Sequence, residues 1–525
     1  MRIKNVFIGS AILLSTSINA QNSITDPMTQ AVMEVYAEEL AKNPSDYNIL
    51  LSRANEYFKH GEFLRALDDV NLALKYTTRD DKEVLFEEYM LRANIYENRK
   101  EYELQLADLN EAAKLELSPL LQAKRAEANM NLGNYAAAKA DYQSMLSKNS
   151  IDYNALSGLA NVAIKENNYG LAKDYVNRGV AMYPAQSNVY IARAEVLNKM
   201  GEYNEAAHDL ITAVTMDYEN SRAIQLLVQM SDSRYDDVIN ALNDAIERAS
   251  TSGILYYLRS FVAMSHFHYA SALQDINRII NNKYYNNDGI YYDCADANYQ
   301  LGRFSDAYSN IVEAIQINPT IPGYFILKAK IQMALNKPAD AMKDLNSVLA
   351  VDRNNIQALV EIARVDISQK KYDAALKELN TAIINNSEVP YNYILRGWLQ
   401  KDFLNNPSAA KSDFSAVLNL EQEGLFSYRG FALHFLGRDS EAKKWMSDMI
   451  MKSNIAGGQA YYYAAILYSL CGDSAKAIEY LESALANGYG SYYNVMLNNE
   501  GVLNLSKLRT LPQFKGLVEK YKSNF

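Results

Sequence analysis

At 525 residues the chain is too long for one ordinary hydrophobic core, so several domains or a repeat array are expected. Its formal net charge of -10 excludes non-specific nucleic-acid binding, which needs surplus Lys and Arg, and disfavours docking on an anionic membrane surface. Tyrosine is the anomaly: 40 residues against 15 Phe and 2 Trp, an excess that packing or binding must explain.

Arg2 and Lys4 precede an apolar run from Val6 to Leu14, and small and polar residues follow up to Ala20. That order predicts a secretory signal peptide over residues 1–20, with cleavage before Gln21, in a run too short to span hydrocarbon. No cysteine follows the expected cut, so a lipid anchor is not indicated. The mature chain is expected to be exported, most simply to a periplasm, with secretion or surface association as alternatives and no membrane insertion after signal removal. Cys294 and Cys471 lie far apart in the register below and read as unpaired small buried or semi-buried residues.

From residue 47 a period emerges. Small residues recur at Ala54, Ala93, Ala126, Ala160, Ala194, Ser260, Ala295, Ala329, Ala363, Gly397, Gly430 and Ala465, with a degenerate Leu226 in the sixth place. Seven residues on comes a turn and, in most units, five further on an Ala, and the step is 34 residues with small excursions. In the clearest unit Tyr190, Ala194 and Leu197 mark one helix face, Gly201-Glu202-Tyr203 the turn, and Ala206, Leu210 and Ala213 a second helix face. Pro184 and Pro319 follow second helices, where proline stops a helix.

The unit Tyr291, Ala295, Gly302, Phe304, Ala307, Ile311, Ala314, Pro319 resembles the tetratricopeptide repeat throughout. The resemblance covers roughly residues 28–521 and implies an all-α solenoid, a right-handed superhelix of helix-turn-helix repeats. The organisation predicted is a capping helix over 21–46, about thirteen repeats over 47–485, and a C-terminal capping segment over 486–525. That last segment, with Gly488-Tyr489 and Leu511-Pro512-Gln513-Phe514, resembles the terminal segment of exported bacterial members and should cover the final apolar face.

Two positions of the unit are recurrently aromatic. One lies four residues before the small residue (Tyr89, Tyr190, Tyr256, Tyr291, Phe325, Tyr393, Phe426, Tyr461), the other just after the turn (Tyr102, Tyr203, Tyr269, Phe304 and others); both read as packing sites. Charges follow a second rule. Arg53, Arg92, Arg125, Arg193, Arg259 and Arg396 precede the small residue, and the same units carry Asp69, Asp108, Asp141, Asp209, Asp275 and Asp413. Lys328 and Asp344 form a seventh set. A within-repeat ion pair joining the two helices is predicted.

By the same resemblance, the first helix of each repeat lines an inner groove. Early units offer Asn55, Asn94 and Asn161 there, and later ones Tyr257, Phe261, Tyr292, Tyr299, Trp398, Phe431 and Tyr462. Amides can donate to and accept from an extended peptide main chain, and rings supply contact area or a stacking face for sugars. The lysines of the carboxylate clamp known in some members are replaced by Leu51, Met90 and Ala123, so that mode is not supported.

Five scattered histidines make no site; His266-x-His268 reads as a solvated turn in preference to a metal pair. No Gly-rich phosphate loop, HExxH or GxSxG occurs. The sequence therefore predicts a non-catalytic binding or scaffolding module without cofactor or metal. Its expected partner is a protein or peptide segment, with a glycan of a bacterial envelope uptake system as the alternative and nucleic acid excluded.

Overall fold

The computed structural model describes residues 27–218, 220–420, 428–452, 458–498 and 502–525. The expected signal peptide and Phe426 lie outside the described residues. All regular structure among the described residues is helical, in tandem antiparallel pairs such as Tyr47–Lys59 with Phe63–Tyr76 and Asp288–Gln300 with Phe304–Ile317. The small residues that set the period are buried where the two helices of a pair meet. A Cβ on Gly397 would stand 2.6 Å from the Phe414 ring, which is why glycine replaces alanine there.

Local chemistry sets the helix ends. Asp152 accepts the Ala155 N–H at 2.9 Å and Asn355 that of Ala358 at 3.1 Å, each satisfying an orphan donor of a first helix. Proline occupies the first turn of the helices Pro322–Ala334, Pro338–Val351 and Pro390–Asp402, where no N–H is needed. Outside the sixth unit, the turn inside each repeat places one residue in the left-handed region. Glycine fills it at Gly61, Gly133, Gly201, Gly302, Gly437 and Gly472, but Lys100, Asn167, Phe267, Asn336, Lys370 and Asn405 adopt it elsewhere. The turn geometry is thus dictated by helix pairing and merely favoured by glycine.

The sixth unit departs as its degenerate sequence suggests. Ser221–Arg248 runs as one helical stretch broken only at Arg234 (φ -137°, ψ 44°), without a glycine turn.

Contacts divide the chain into two compact units, one of described residues up to Asp209 and one over Leu210–Phe525. In both, first helices of neighbouring repeats touch each other as well as their own partners, as between Tyr47–Lys59 and Lys82–Asn98 or between Pro322–Ala334 and Ile356–Ser368. First helices therefore form an inner row.

In the first unit the helix Pro27–Lys42 buries Leu40 against Leu50 and Ala73, while Met28 and Val35 stay exposed. In the second unit the C-terminal segment does two things. Leu505, Leu508, Phe514 and Leu517 pack on Leu481 and Leu485 of the last repeat, covering its apolar face. It also reaches back to much earlier repeats: the Gly490 N–H donates to the Phe267 carbonyl at 2.9 Å, and the Ser491 hydroxyl to Oε1 of Gln300 at 2.8 Å. Gly488 has φ +82°, and a Cβ there would stand 2.1 Å from the His268 ring. Only glycine can make that approach.

Candidate binding surfaces

The predicted ion pairs are formed in all seven units. In each of the six Arg units the guanidinium grips the Asp carboxylate in two-pronged fashion, as for Arg53 with Asp69 (2.7 and 2.8 Å) and Arg259 with Asp275 (2.8 and 2.7 Å). Lys328 meets Asp344 at 3.0 Å through a single nitrogen. The aspartates are buried and the arginines part-exposed, so these are structural clasps within repeats and no ligand site. Four of the arginines make a further contact that was not legible in the pattern. Arg92 donates to Asn71 at 2.7 Å, Arg193 to Asn177 at 3.4 Å, Arg259 to Asn243 at 2.6 Å and Arg396 to Asn380 at 2.8 Å, each asparagine lying in the second helical segment of the preceding repeat. The ring at the aromatic position sits under the guanidinium, as Tyr89 under Arg92 at 5.9 Å, which gives part of the tyrosine excess a cation–π role.

Of the ten residues proposed for partner binding, three are removed by burial. Tyr299 is 3% exposed and packs on Tyr493 at 4.6 Å; Tyr462 is 3% exposed and stacks on Tyr489 at 4.4 Å. Both are covered by the chain's own C-terminal segment, whose return the sequence did not reveal. Phe431 is fully buried between Tyr428 and Tyr463. Tyr257, Phe261, Tyr292 and Trp398 are half-buried. Tyr257 stacks on Phe261, Tyr292 on Tyr324, and Trp398 meets Phe403 edge-on, so each ring already has an intramolecular partner. Beside them burial, with Asp296 adjacent, pushes the Asp293 carboxyl up to about 8.

The His266-x-His268 turn is not solvated. His266 is buried with Nε2 2.7 Å from the Ser231 hydroxyl, and the His268 ring stacks on Tyr235 at 4.6 Å, its pKa lowered by burial. The packing of the sixth unit and of Gly488 around this turn removes it from solvent.

The asparagines of the first unit stand differently. Asn55, Asn94 and Asn161 share one register position, directly after the small residue, on three helices of the inner row. Glu127 and Glu195 occupy the same position in the repeats between and after them. Their place follows from the register of the repeat and not from residue type. Asn161 and Glu127 are exposed, and Asn55 and Asn94 half-buried. The Asn55 amide donates to the Leu51 carbonyl at 3.1 Å. The Oδ1 of Asn94 is buried with no donor from the chain. Such an atom costs desolvation free energy unless something else donates to it.

Residues 124–187 and 332–391 match the sequence profiles of the tetratricopeptide repeat family. The chain is a tetratricopeptide-repeat protein. Among curated relatives it is 27% identical over 89 residues to the DnaJ homolog subfamily C member 7 homolog of Schizosaccharomyces pombe, covering 16% of this chain and 19% of that one. It is 26% identical over 230 residues to the protein O-mannosyl-transferase TMTC3 of Homo sapiens, covering 42% of this chain and 25% of that one. The chain thus spans a quarter or less of the length of either relative. Among solved structures, YrrB, described as a tetratricopeptide-repeat protein with an unusual peptide-binding site, aligns at 16% identity with a TM-score of 0.29, covering 36% of this chain and 96% of that one. Yeast Tom70 aligns at 16% identity with a TM-score of 0.35, covering 78% and 99%. No helix among the described residues is long and apolar enough to cross a membrane.

Proposed function

We propose that the protein is an exported, non-catalytic scaffold that holds an extended segment of a partner protein on the inner row of its first unit. Export rests on the Arg2, Lys4 and Val6–Leu14 pattern that ends at Ala20. The binding reading rests on one observation above all: Asn55, Asn94, Glu127 and Asn161 place one polar side chain per repeat at a single register position, with Glu127 and Asn161 exposed. Such a row offers acceptors from repeat to repeat, and the complementary ligand is an extended main chain with its N–H groups inward and a Lys or Arg beside Glu127. The rings of the second unit contribute less, because three are buried and the other four are engaged within the chain. The same burial weighs against a glycan, which needs exposed flat faces on which to stack.

The test is a library of extended basic peptides, with affinity measured by fluorescence anisotropy against the native chain and Asn94→Ala. Removing an unpartnered acceptor leaves folding stability unchanged or raised. Loss of a contact to the ligand weakens binding about tenfold, the equivalent of ~1.4 kcal/mol. A peptide bound equally by both forms, or a preference for glycans over every peptide, overturns the reading.

A further inference from the structure

A second site with different chemistry lies in the second unit, where two successive repeats adjoin. His434 stands at the end of the helix Arg429–Phe435, Asp439 opens the helix Asp439–Lys452, and Cys471 directly follows the helix Gln459–Leu470. The pairing of the first two helices and the packing of the third on them bring one nitrogen, one oxygen and one sulfur donor within 4.8 Å of one another. We propose that His434 Nδ1, Asp439 Oδ1 and Cys471 Sγ form a binding site for a borderline-soft divalent cation of the zinc class.

The geometry fits such an ion. The sulfur lies 3.5 Å from Nδ1 of His434. In a tetrahedral site with Zn–N of about 2.0–2.1 Å and Zn–S of about 2.3 Å, the nitrogen–sulfur edge is roughly 3.5 Å. The nitrogen–oxygen pair stands at 2.8 Å, held by a hydrogen bond, and has to open by about half an ångström to admit the ion. Asp439 is half exposed and sits on the first turn of its helix, where its side chain can swing by that much.

Donor type narrows the ligand. Imidazole, carboxylate and thiolate together suit zinc, cobalt or copper and disfavour calcium or magnesium, which take oxygen donors. Three protein ligands leave a fourth position for water or for a side chain of a bound partner, so the site is open, unlike a closed structural zinc site. Among the described residues no other group of three or more such donors converges in this way. Cys294, the second cysteine, is buried with its sulfur against Asn298 and serves as an internal control.

The experiment is a Co(II) titration of the chelator-stripped full chain under a non-thiol reductant, followed by absorbance. The expected result is one equivalent bound, with tetrahedral d–d bands and a thiolate-to-cobalt charge-transfer band that Zn(II) displaces. Cys471→Ser abolishes the charge-transfer band, and Cys294→Ser leaves it unchanged. Asp439→Asn, at a half-exposed position that spares the fold, keeps the band and weakens cobalt binding by about tenfold. Absence of binding, a band that survives Cys471→Ser in a chain with unchanged circular dichroism, or a band lost in Cys294→Ser overturns the proposal.

Discussion

Arg193 and Asp209 lie sixteen residues apart on the two helices of one repeat and meet in a two-pronged pair, Nε to Oδ2 and Nη2 to Oδ1, both at 2.7 Å. Asp209 is 6% exposed, and the bond to it raises the pKa of Arg193 further above the usual arginine value. The third prong of the guanidinium reaches Asn177 of the preceding repeat at 3.4 Å. One arginine therefore ties three helices. Asp209→Ala leaves a part-buried guanidinium unpaired and is expected to cost on the order of 3–5 kcal/mol. Denaturant unfolding of Asp209→Ala, Arg193→Ala and the double variant should show coupling above ~1 kcal/mol. Simple additivity would mean that the pair does not clasp the helices.

Lys100 and Lys370 hold the left-handed turn position, at φ 59° and 61°, that glycine takes in other repeats, and both side chains are exposed. Relief of the Cβ clash is expected to stabilise Lys100→Gly and Lys370→Gly by about 0.5–1 kcal/mol each. Phe267, at φ 66°, should not gain in the same way, because its ring packs on Tyr489 at 5.3 Å. Melting temperatures of the three glycine variants check this contrast.

Glu88 is fully buried, and burial lifts its carboxyl from 4.5 to about 7. The Thr77 hydroxyl lies 2.6 Å from Oε1 of Glu88 and 3.0 Å from the Ala73 carbonyl, and it has one proton for two acceptors. A protonated Glu88 resolves the conflict by donating to Thr77, which then donates to Ala73. Because the folded value is the higher one, the folded state binds the extra proton and stability falls as pH rises from 4.5 through about 7. Glu88→Gln is expected to stabilise the chain by ~1–3 kcal/mol at pH 8 and to change little at pH 4. Unfolding curves at the two pH values decide it, and equal effects at both would remove the titration from the account.

Gly488→Ala combines a strained φ with a collision on His268, and is expected to detach residues 489–497 from the Phe267 turn. Hydrogen exchange should then accelerate at Gly490 and along the following turn, while the core of the last repeat, built on Leu481 and Leu485, stays protected. Unchanged protection at Gly490 would mean that the return of the C-terminal segment tolerates a side chain there.

The repeat and its ion pairs were legible because every unit restates them: small residue, turn and Arg–Asp spacing are local and periodic. What was not legible is non-periodic. The bond from Ser491 to Gln300 spans 191 residues and belongs to no repeat, so Tyr299 and Tyr462 read as groove residues when the returning segment covers them. The His434, Asp439 and Cys471 cluster draws donors from two successive repeats, and no other repeat restates it among the described residues. Asn94 could be placed on the inner face from the sequence. That its oxygen lacks a partner could not, because that depends on every neighbour around it.

The most direct test of the central claim is affinity capture with three forms of the chain, each checked for folding and each analysed by mass spectrometry with quantified binding of the recovered partner. These are the native protein, Asn55→Ala/Asn94→Ala/Asn161→Ala, and Tyr292→Ala/Trp398→Ala. The account predicts a partner held by the native protein and the aromatic double variant and lost by the asparagine triple variant. A partner lost by the aromatic variant alone, or retained by all three forms, would contradict it.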